Sequence, residues 1–175
     1  MPVKAGRKLL IWAIKRLKLC LHNFVNKANF PCFLNFRPML SKKAQYAFHA
    51  LTYLMEKKDD GPTLISTISS EKKISLKFLE QILLELRKGG ILGSKKGKGG
   101  GYYLIKEPNE IPLAKIIRLI DGPIALLPCV SLNYYERCKN CDESICGLNS
   151  VMSEVRDANL KILENKTLAD IHNSI

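Results

Sequence analysis

The sequence predicts a mainly α-helical protein with one small β hairpin: a winged helix-turn-helix followed by a long C-terminal helix. Three observations carry this expectation. Apolar residues recur at helical spacing through 41–57, 75–88 and from about Gly147 onward. Two of the predicted helices are joined by a short polar turn, and the second is capped and strongly amphipathic. Directly after it, a glycine- and lysine-rich loop lies between two short apolar runs.

In the first helix Ala44, Ala47, Phe48, Leu51, Leu54 and Met55 fall on one face, and Asp59-Asp60-Gly61-Pro62 supplies the turn that ends it. Thr63 is placed to cap a short second helix holding Leu64, Ile65 and Ile68. A polar stretch follows at 69–73, and Ser75 stands at the N-cap of a third helix. There Leu76, Leu79, Leu83 and Leu86 share a face, and Gly89-Gly90 terminate it. Ile91-Leu92 and residues 102–105 read as two short strands around GSKKGKGGG, residues 93–101. A hairpin with a basic tip behind an amphipathic helix is a wing. A nucleotide-phosphate loop is excluded by order, because no GK[ST] closes the loop and a strand follows where a helix is required.

Pro112 opens a fourth helix with Leu113, Ile116, Ile117 and Ile120 on one side, stopped at Gly122-Pro123. From about Gly147 a long helix carries Leu148, Val151, Met152, Val155 and Ile162 along one stripe. Asn165 ends it, and Thr167-x-x-Asp170 reads as a capping box for a last short turn.

Charge divides the chain. Residues 1–38 hold eight basic residues and no acid, residues 39–106 carry a net +7, and residues 107–175 a net −3. Clustered lysines in one half are what a polyanion footprint requires. On the third helix, Lys77, Phe78, Gln81 and Lys88 face away from the leucines, with Glu80 at the edge. Gln81 can pair with an adenine edge and Glu80 can accept from cytosine N4. Phe78 points either to a thymine methyl or sugar, or to packing against the wing. Ser75, Lys77, Phe78, Glu80 and Gln81, with Lys95, Lys96 and Lys98 of the loop, form the candidate DNA-contacting set. The leader 1–38 is expected to be a mis-assigned start or a disordered segment ahead of an ordinary beginning at Met39. No run is long and apolar enough for a membrane helix, so no membrane partner is expected.

Cys20 and Cys32 lie in the leader, while Cys129, Cys138, Cys141 and Cys146 are spaced C-x8-C-x2-C-x4-C. With no need of disulfide staples and no export signal, reduced cytoplasmic thiols are expected. They suit an iron–sulfur cluster, zinc, or metal-free thiol sensing. Only Cys138 and Cys141 form the paired spacing that structural zinc prefers. Outside these thiols no nucleophile–base set or paired carboxylates suggest an enzyme.

At ISLKFLEQILLELRKGGIL (74–92), SKKGKGGGYYL (94–104), LSKKAQYAFHALTYL and IPLAKIIRLIDGPIALLPC the chain resembles the Rrf2 family of transcription regulators. That family includes iron–sulfur, nitric-oxide and cysteine-metabolism regulators. The resemblance runs from Met39 to about Ile171. It implies a homodimer paired through its long C-terminal helices, reading an inverted-repeat operator in double-stranded DNA, with a repressor's role. It also implies that positions 77, 80 and 81 read bases, that Lys96 takes the minor-groove position, and that cysteines hold a [2Fe–2S] or [4Fe–4S] cluster. Many members carry arginine where this chain has Lys96. Three cysteines and a varying fourth ligand are common in the family, whereas this chain has four cysteines and Asn149 where some members supply histidine. The segments expected are thus 1–38 leader, 39–106 winged helix-turn-helix, 107–128 connecting helix and linker, 129–146 cysteine sensor loop, and 147–175 dimerisation helix and tail. The rival reading of another class is a cysteine-rich cluster carrier or electron-transfer protein.

Overall fold

A computed structural model describes residues 40–139 and 141–172. The leader, with Cys20 and Cys32, and the start at Met39 lie outside the described residues. The helices fall where the apolar spacing places them: α1 Lys42–Glu56, α2 Ile65–Lys72, α3 Leu76–Lys88, α4 Leu113–Ile120, α5 Gly147–Asn165 and α6 Leu168–His172. Strands β1 (Leu92–Lys95) and β2 (Gly101–Leu104) form an antiparallel hairpin in the register Leu92 to Leu104 and Lys95 to Gly101.

Ser41 caps α1, its hydroxyl accepting from the Ala44 N–H at 3.0 Å. The same serine ties the first helix to the end of α4: its N–H donates to Asp121 Oδ2 at 2.9 Å, and its hydroxyl donates to the other carboxylate oxygen. Loss of an N-cap hydroxyl costs about 1 kcal/mol, and up to about 2 in protein hosts. Ser41→Ala is therefore expected to lower unfolding stability by about 1–2 kcal/mol. Urea denaturation followed by circular dichroism measures this, and an unchanged midpoint would show that the hydroxyl's two bonds carry nothing.

Ala44, Ala47 and Ala50 are fully buried, and their small side chains let α3 and α4 approach α1 closely. Leu51 and Leu54 from α1, Ile68 from α2, Leu79, Ile82, Leu83 and Leu86 from α3, and Ile116 from α4 fill the core. Each such side chain gains roughly 1.5–3 kcal/mol by leaving water. Leu76, expected in this face, is instead 46% exposed, because it sits at the first position of α3, outside the buried stripe.

Thr63 does not cap α2. Leu64 holds the N-cap position, and Thr63 forms a two-bond β-bridge with Tyr102, donating at 2.9 Å and accepting at 2.8 Å. The polar stretch at 69–73 is mostly helical, with α2 running to Lys72 and Lys73 turning the chain at φ 52°. Beyond Pro112 and α4, a connector leads to the cysteine loop and then to α5. The chain returns to the core beside its point of departure. Leu113 N–H donates to Lys166 O and Leu168 N–H to Ile111 O, both at 2.9 Å, and Leu168 is fully buried. As the capping-box spacing predicts, Asp170 accepts from both Thr167 N–H, at 2.7 Å, and its hydroxyl, at 2.9 Å.

The apolar stripe of α5 does not complete the core. Leu148, Val151 and Ile162 are more than half exposed, and Leu160 is the buried residue of this helix. Among the described residues, no helix is long and apolar enough to cross a membrane.

Candidate functional site

The third helix presents its polar residues in its first two turns. Ser75 holds the N-cap position without a side-chain cap bond, and Ser75, Lys77, Glu80 and Gln81 are all exposed. None of Lys77, Glu80 and Gln81 has a side-chain hydrogen bond or ion pair within the described residues, so their donors, acceptors and charge are available to a partner. Phe78 is half-buried, and its ring packs edge-on against Tyr46 of α1, centroids 5.9 Å apart at 83°. The first helix is thus a neighbour of Phe78 that neither expected surrounding included. Lys43 of α1 also pairs with Glu85 of α3 at 2.7 Å, so α1 fixes the rotation of the exposed face.

The wing is tied to the same helix. Arg87 donates to the Ser94 hydroxyl at 3.2 Å, and Gly93 lies beneath the ring of Tyr103, which a Cβ there would displace. Lys95 closes strand β1, while Lys96 and Lys98 stand on the tip between the strands, all three exposed. Gly97 and Gly99 take φ of +93° and +74°, which ordinary side chains disfavour. At the foot of β2, Gly101 lies against the Thr63 carbonyl, where a Cβ would come within 2.3 Å of that oxygen.

The cysteine region forms a second, separate centre. Cys129 sits on the 3-10 turn Pro128–Val130, and Cys138, Cys141 and Cys146 on the loop that enters α5. The last three thiols interact. A hydrogen bond to Cys138, partial loss of hydration and a second hydrogen bond to Cys146 push the Cys141 thiol up to about 12. Glu143 reaches back across this loop, accepting the Cys138 N–H at 2.8 Å and the Tyr135 hydroxyl at 2.7 Å. These bonds hold its carboxyl below the usual range, and the same bond to Glu143 raises the Tyr135 phenol. Two residues of α5 grip the turn bearing Cys129: Asn149 donates to Cys129 O at 3.4 Å and Arg156 to Val130 O at 2.6 Å.

Cys141, hydrogen-bonded to Cys138 and to Cys146, makes with them a soft donor set on one loop, chemically fitted to an iron–sulfur cluster. Among the described residues, no three His, Cys, Asp or Glu side chains already stand so as to hold a single metal ion. Tyr46, Arg87, Glu143 and Arg156 were not singled out from the sequence, and Thr63 was read there as a helix cap. Each acts through a partner distant in the chain or through a loop contact that periodicity does not reveal.

A helix-turn-helix with an exposed polar recognition face and a lysine-tipped hairpin defines a winged-helix DNA-binding transcriptional regulator. The chain belongs to the Rrf2 family: the family model described as an iron-dependent transcriptional regulator matches residues 40–174. It is 39% identical over 137 residues to the rrf2-like HTH-type transcriptional regulator of Rhodobacter capsulatus, covering 76% of this chain and 91% of that one. To the HTH-type transcriptional regulator IscR of Pectobacterium atrosepticum it is 32% identical over 135 residues, covering 77% and 79%. The solved structure of CymR, the global cysteine regulator of B. subtilis, matches with a TM-score of 0.64 at 29% identity, covering 78% of this chain and 97% of that one. These relatives are transcriptional regulators, not enzymes.

Proposed function

We propose that this regulator acts in the cytoplasm as a homodimer that binds an inverted-repeat operator and represses from it, switched by the state of its cysteine loop. The exposed, unpartnered face of α3 beside a lysine wing carries the DNA reading. Ser75, Lys77, Glu80 and Gln81 occupy the helix start, the part that reaches base edges in helix-turn-helix docking. Gln81 suits adenine and Glu80 suits cytosine, while Lys95, Lys96 and Lys98 neutralise phosphates, with Lys96 directed to the minor groove. Phe78, set against Tyr46, offers its remaining edge to a thymine methyl or a sugar.

Dimerisation is supported by the long helix. Leu148, Val151 and Ile162 leave an apolar stripe in water, and Ile162 also borders an apolar hollow of about 420 Å³ between α4, the connector and α5. A second α5 would cover such a stripe, and a two-fold dimer would read a two-fold operator. The segments 39–106, 107–128, 129–146 and 147–175 then divide into reading head, connector, sensor loop and pairing helix. The leader, 1–38, is dispensable in this reading.

Cys138, Cys141 and Cys146, with Cys129 as a fourth thiol, would hold a [2Fe–2S] or [4Fe–4S] cluster. Such a group supplies a centre sensitive to oxidants, nitric oxide and iron–sulfur supply. The chain's own part is to gather the sulfurs on an exposed loop and to connect that loop to α5 through Asn149 and Arg156. A second reading, metal-free thiol switching, is favoured by the hydrogen bonds of the Cys141 thiol to Cys138 and Cys146 and by the likeness to a cysteine regulator. A colourless anaerobic preparation without iron or sulfide would select it, and zinc analysis of the same sample separates a zinc site.

DNA reading is tested by selecting operators from a random duplex library with the full chain, then measuring affinity over a range of salt. Gln81→Ala should cost about 1–3 kcal/mol on the selected operator and relax preference at one position per half-site. Lys98→Ala should weaken all sequences alike and reduce the salt slope by about one. Identical behaviour of the two variants would remove the division of roles. Absent or salt-insensitive binding would favour a cluster carrier or electron-transfer protein.

A further inference from the structure

The cysteine loop has a definite shape without a core to impose it. From Leu132 to Asn159 no described residue is buried. Its backbone bonds are short-range: Glu136 N–H to Pro128 O at 3.3 Å, and the 3-10 turn Glu143–Ile145, where Asp142 accepts from Ser144. One side chain other than the thiols spans the loop. Glu143 lies between Cys141 and Cys146, and its two oxygens reach the first half, one to the Cys138 N–H and one to the Tyr135 hydroxyl. Tyr135 itself follows the turn that Asn149 and Arg156 hold against α5.

We infer that Glu143 is the positioning residue of the thiol site: clasped to Tyr135 and to the Cys138 backbone, it holds the Cys138 half of the loop against the Cys141–Cys146 half, so that less of the loop has to be ordered when a metal draws the sulfurs together. The inference rests on reading Cys138, Cys141 and Cys146 as a soft-metal site. Physically, the clasp lowers the ordering cost that metal binding would otherwise meet, because Glu143 is already folded back onto Tyr135 and Cys138. Glu143 needs no bond to the metal for this. Supporting residues behind a metal site commonly change affinity 10- to 100-fold when removed.

The test uses Co2+ as the probe, titrated anaerobically into the reduced, metal-free full chain, with thiolate-to-cobalt charge-transfer absorption as the readout. Glu143→Ala should weaken Co2+ binding at least about tenfold, at an unchanged absorption per bound ion, since the sulfurs are the same. Glu143→Gln, which keeps an acceptor for the Cys138 N–H, should recover part of the loss, and Tyr135→Phe should show a smaller loss. Amide exchange should rise at Cys138 in Glu143→Ala and stay unchanged in α3. Glu136→Ala, which removes a neighbouring exposed acid, should bind Co2+ like the parent chain.

Equal binding by Glu143→Ala and the parent overturns the inference, as does an equal loss in Glu136→Ala, which would make the effect one of local charge. A parent chain without the thiolate band, or Cys138→Ala and Cys146→Ala variants that bind as well as the parent, overturns the metal-site reading beneath it. The two failures are thereby told apart.

Discussion

With Cys138 or Cys146 replaced by alanine, the anaerobically purified chain is expected to lose its iron–sulfur absorption and to change operator affinity at least about five-fold, while remaining a dimer. A ligand shifts an equilibrium only by its different affinity for the two arrangements. The thiol loop offers such a difference, because it has no apolar core and its neighbouring turn is gripped by α5 at Cys129 O and Val130 O. Ordering or releasing the loop therefore acts on the helix that would set the spacing of two reading heads. The leader variants Cys20→Ala and Cys32→Ala should do neither. The measurement is operator binding by holo, apo and variant protein at one salt concentration, with sedimentation for the dimer. Equal affinities throughout would make the cysteines structural and place the signal elsewhere.

Gly101→Ala is expected to have the largest effect on DNA binding of any single methyl added to this chain. Its φ of +152° is strained for a side chain, and the new Cβ would meet Thr63 O at 2.3 Å, Thr63 C at 2.4 Å and Leu64 N at 2.9 Å, all of them backbone. Backbone cannot rotate away as a side-chain tip can, so the Thr63–Tyr102 bridge must open. Two hydrogen bonds and the strain together amount to about 2–4 kcal/mol of stability. Since that bridge joins β2 to the start of α2, the wing should lose its set position, and operator affinity should fall more than tenfold even where the chain stays folded. Gly147→Ala, which meets nothing within 4 Å, serves as the control and should leave stability nearly unchanged. Thermal unfolding and operator titration of both variants check this. A Gly101→Ala protein that binds like the parent would mean the bridge does not hold the wing.

Much of the fold was legible because its helices announce themselves locally. Spacing alone located α1, α3, α4 and α5, and Thr167 with Asp170 was recognisable as a cap because both partners lie within one turn. What escaped was non-local. Thr63 reads as a helix cap from its neighbours, and only Tyr102, far along the chain, makes it a bridge residue. Phe78 reads as an outward aromatic until Tyr46 is brought beside it. Leu76 fits the apolar spacing of α3, yet a helix's first residue projects beyond the layer that covers the rest. The polar face of α3 was readable as a set of residue types, since Lys77, Glu80 and Gln81 are exposed where the pattern put them. The cysteine spacing named the sulfurs but not their neighbours. An acid in a polar loop is ordinarily a solvated charge, and nothing in DESIC marks Glu143 as the residue that closes it.

The return of the chain at Lys166 and Leu168 to the strand-like stretch at Ile111–Leu113 has a consequence for how such a protein can change over generations. The connector, the thiol loop and the long helix hang from a neck pinned by two backbone hydrogen bonds and one buried leucine. Closing a longer or shorter excursion at a fixed neck alters its entropy only slowly with length. Segments of different size and ligand content can therefore be exchanged above this neck without rethreading the winged helix-turn-helix. Under the proposed division of roles, drift in what is sensed and drift in what is bound would become separable.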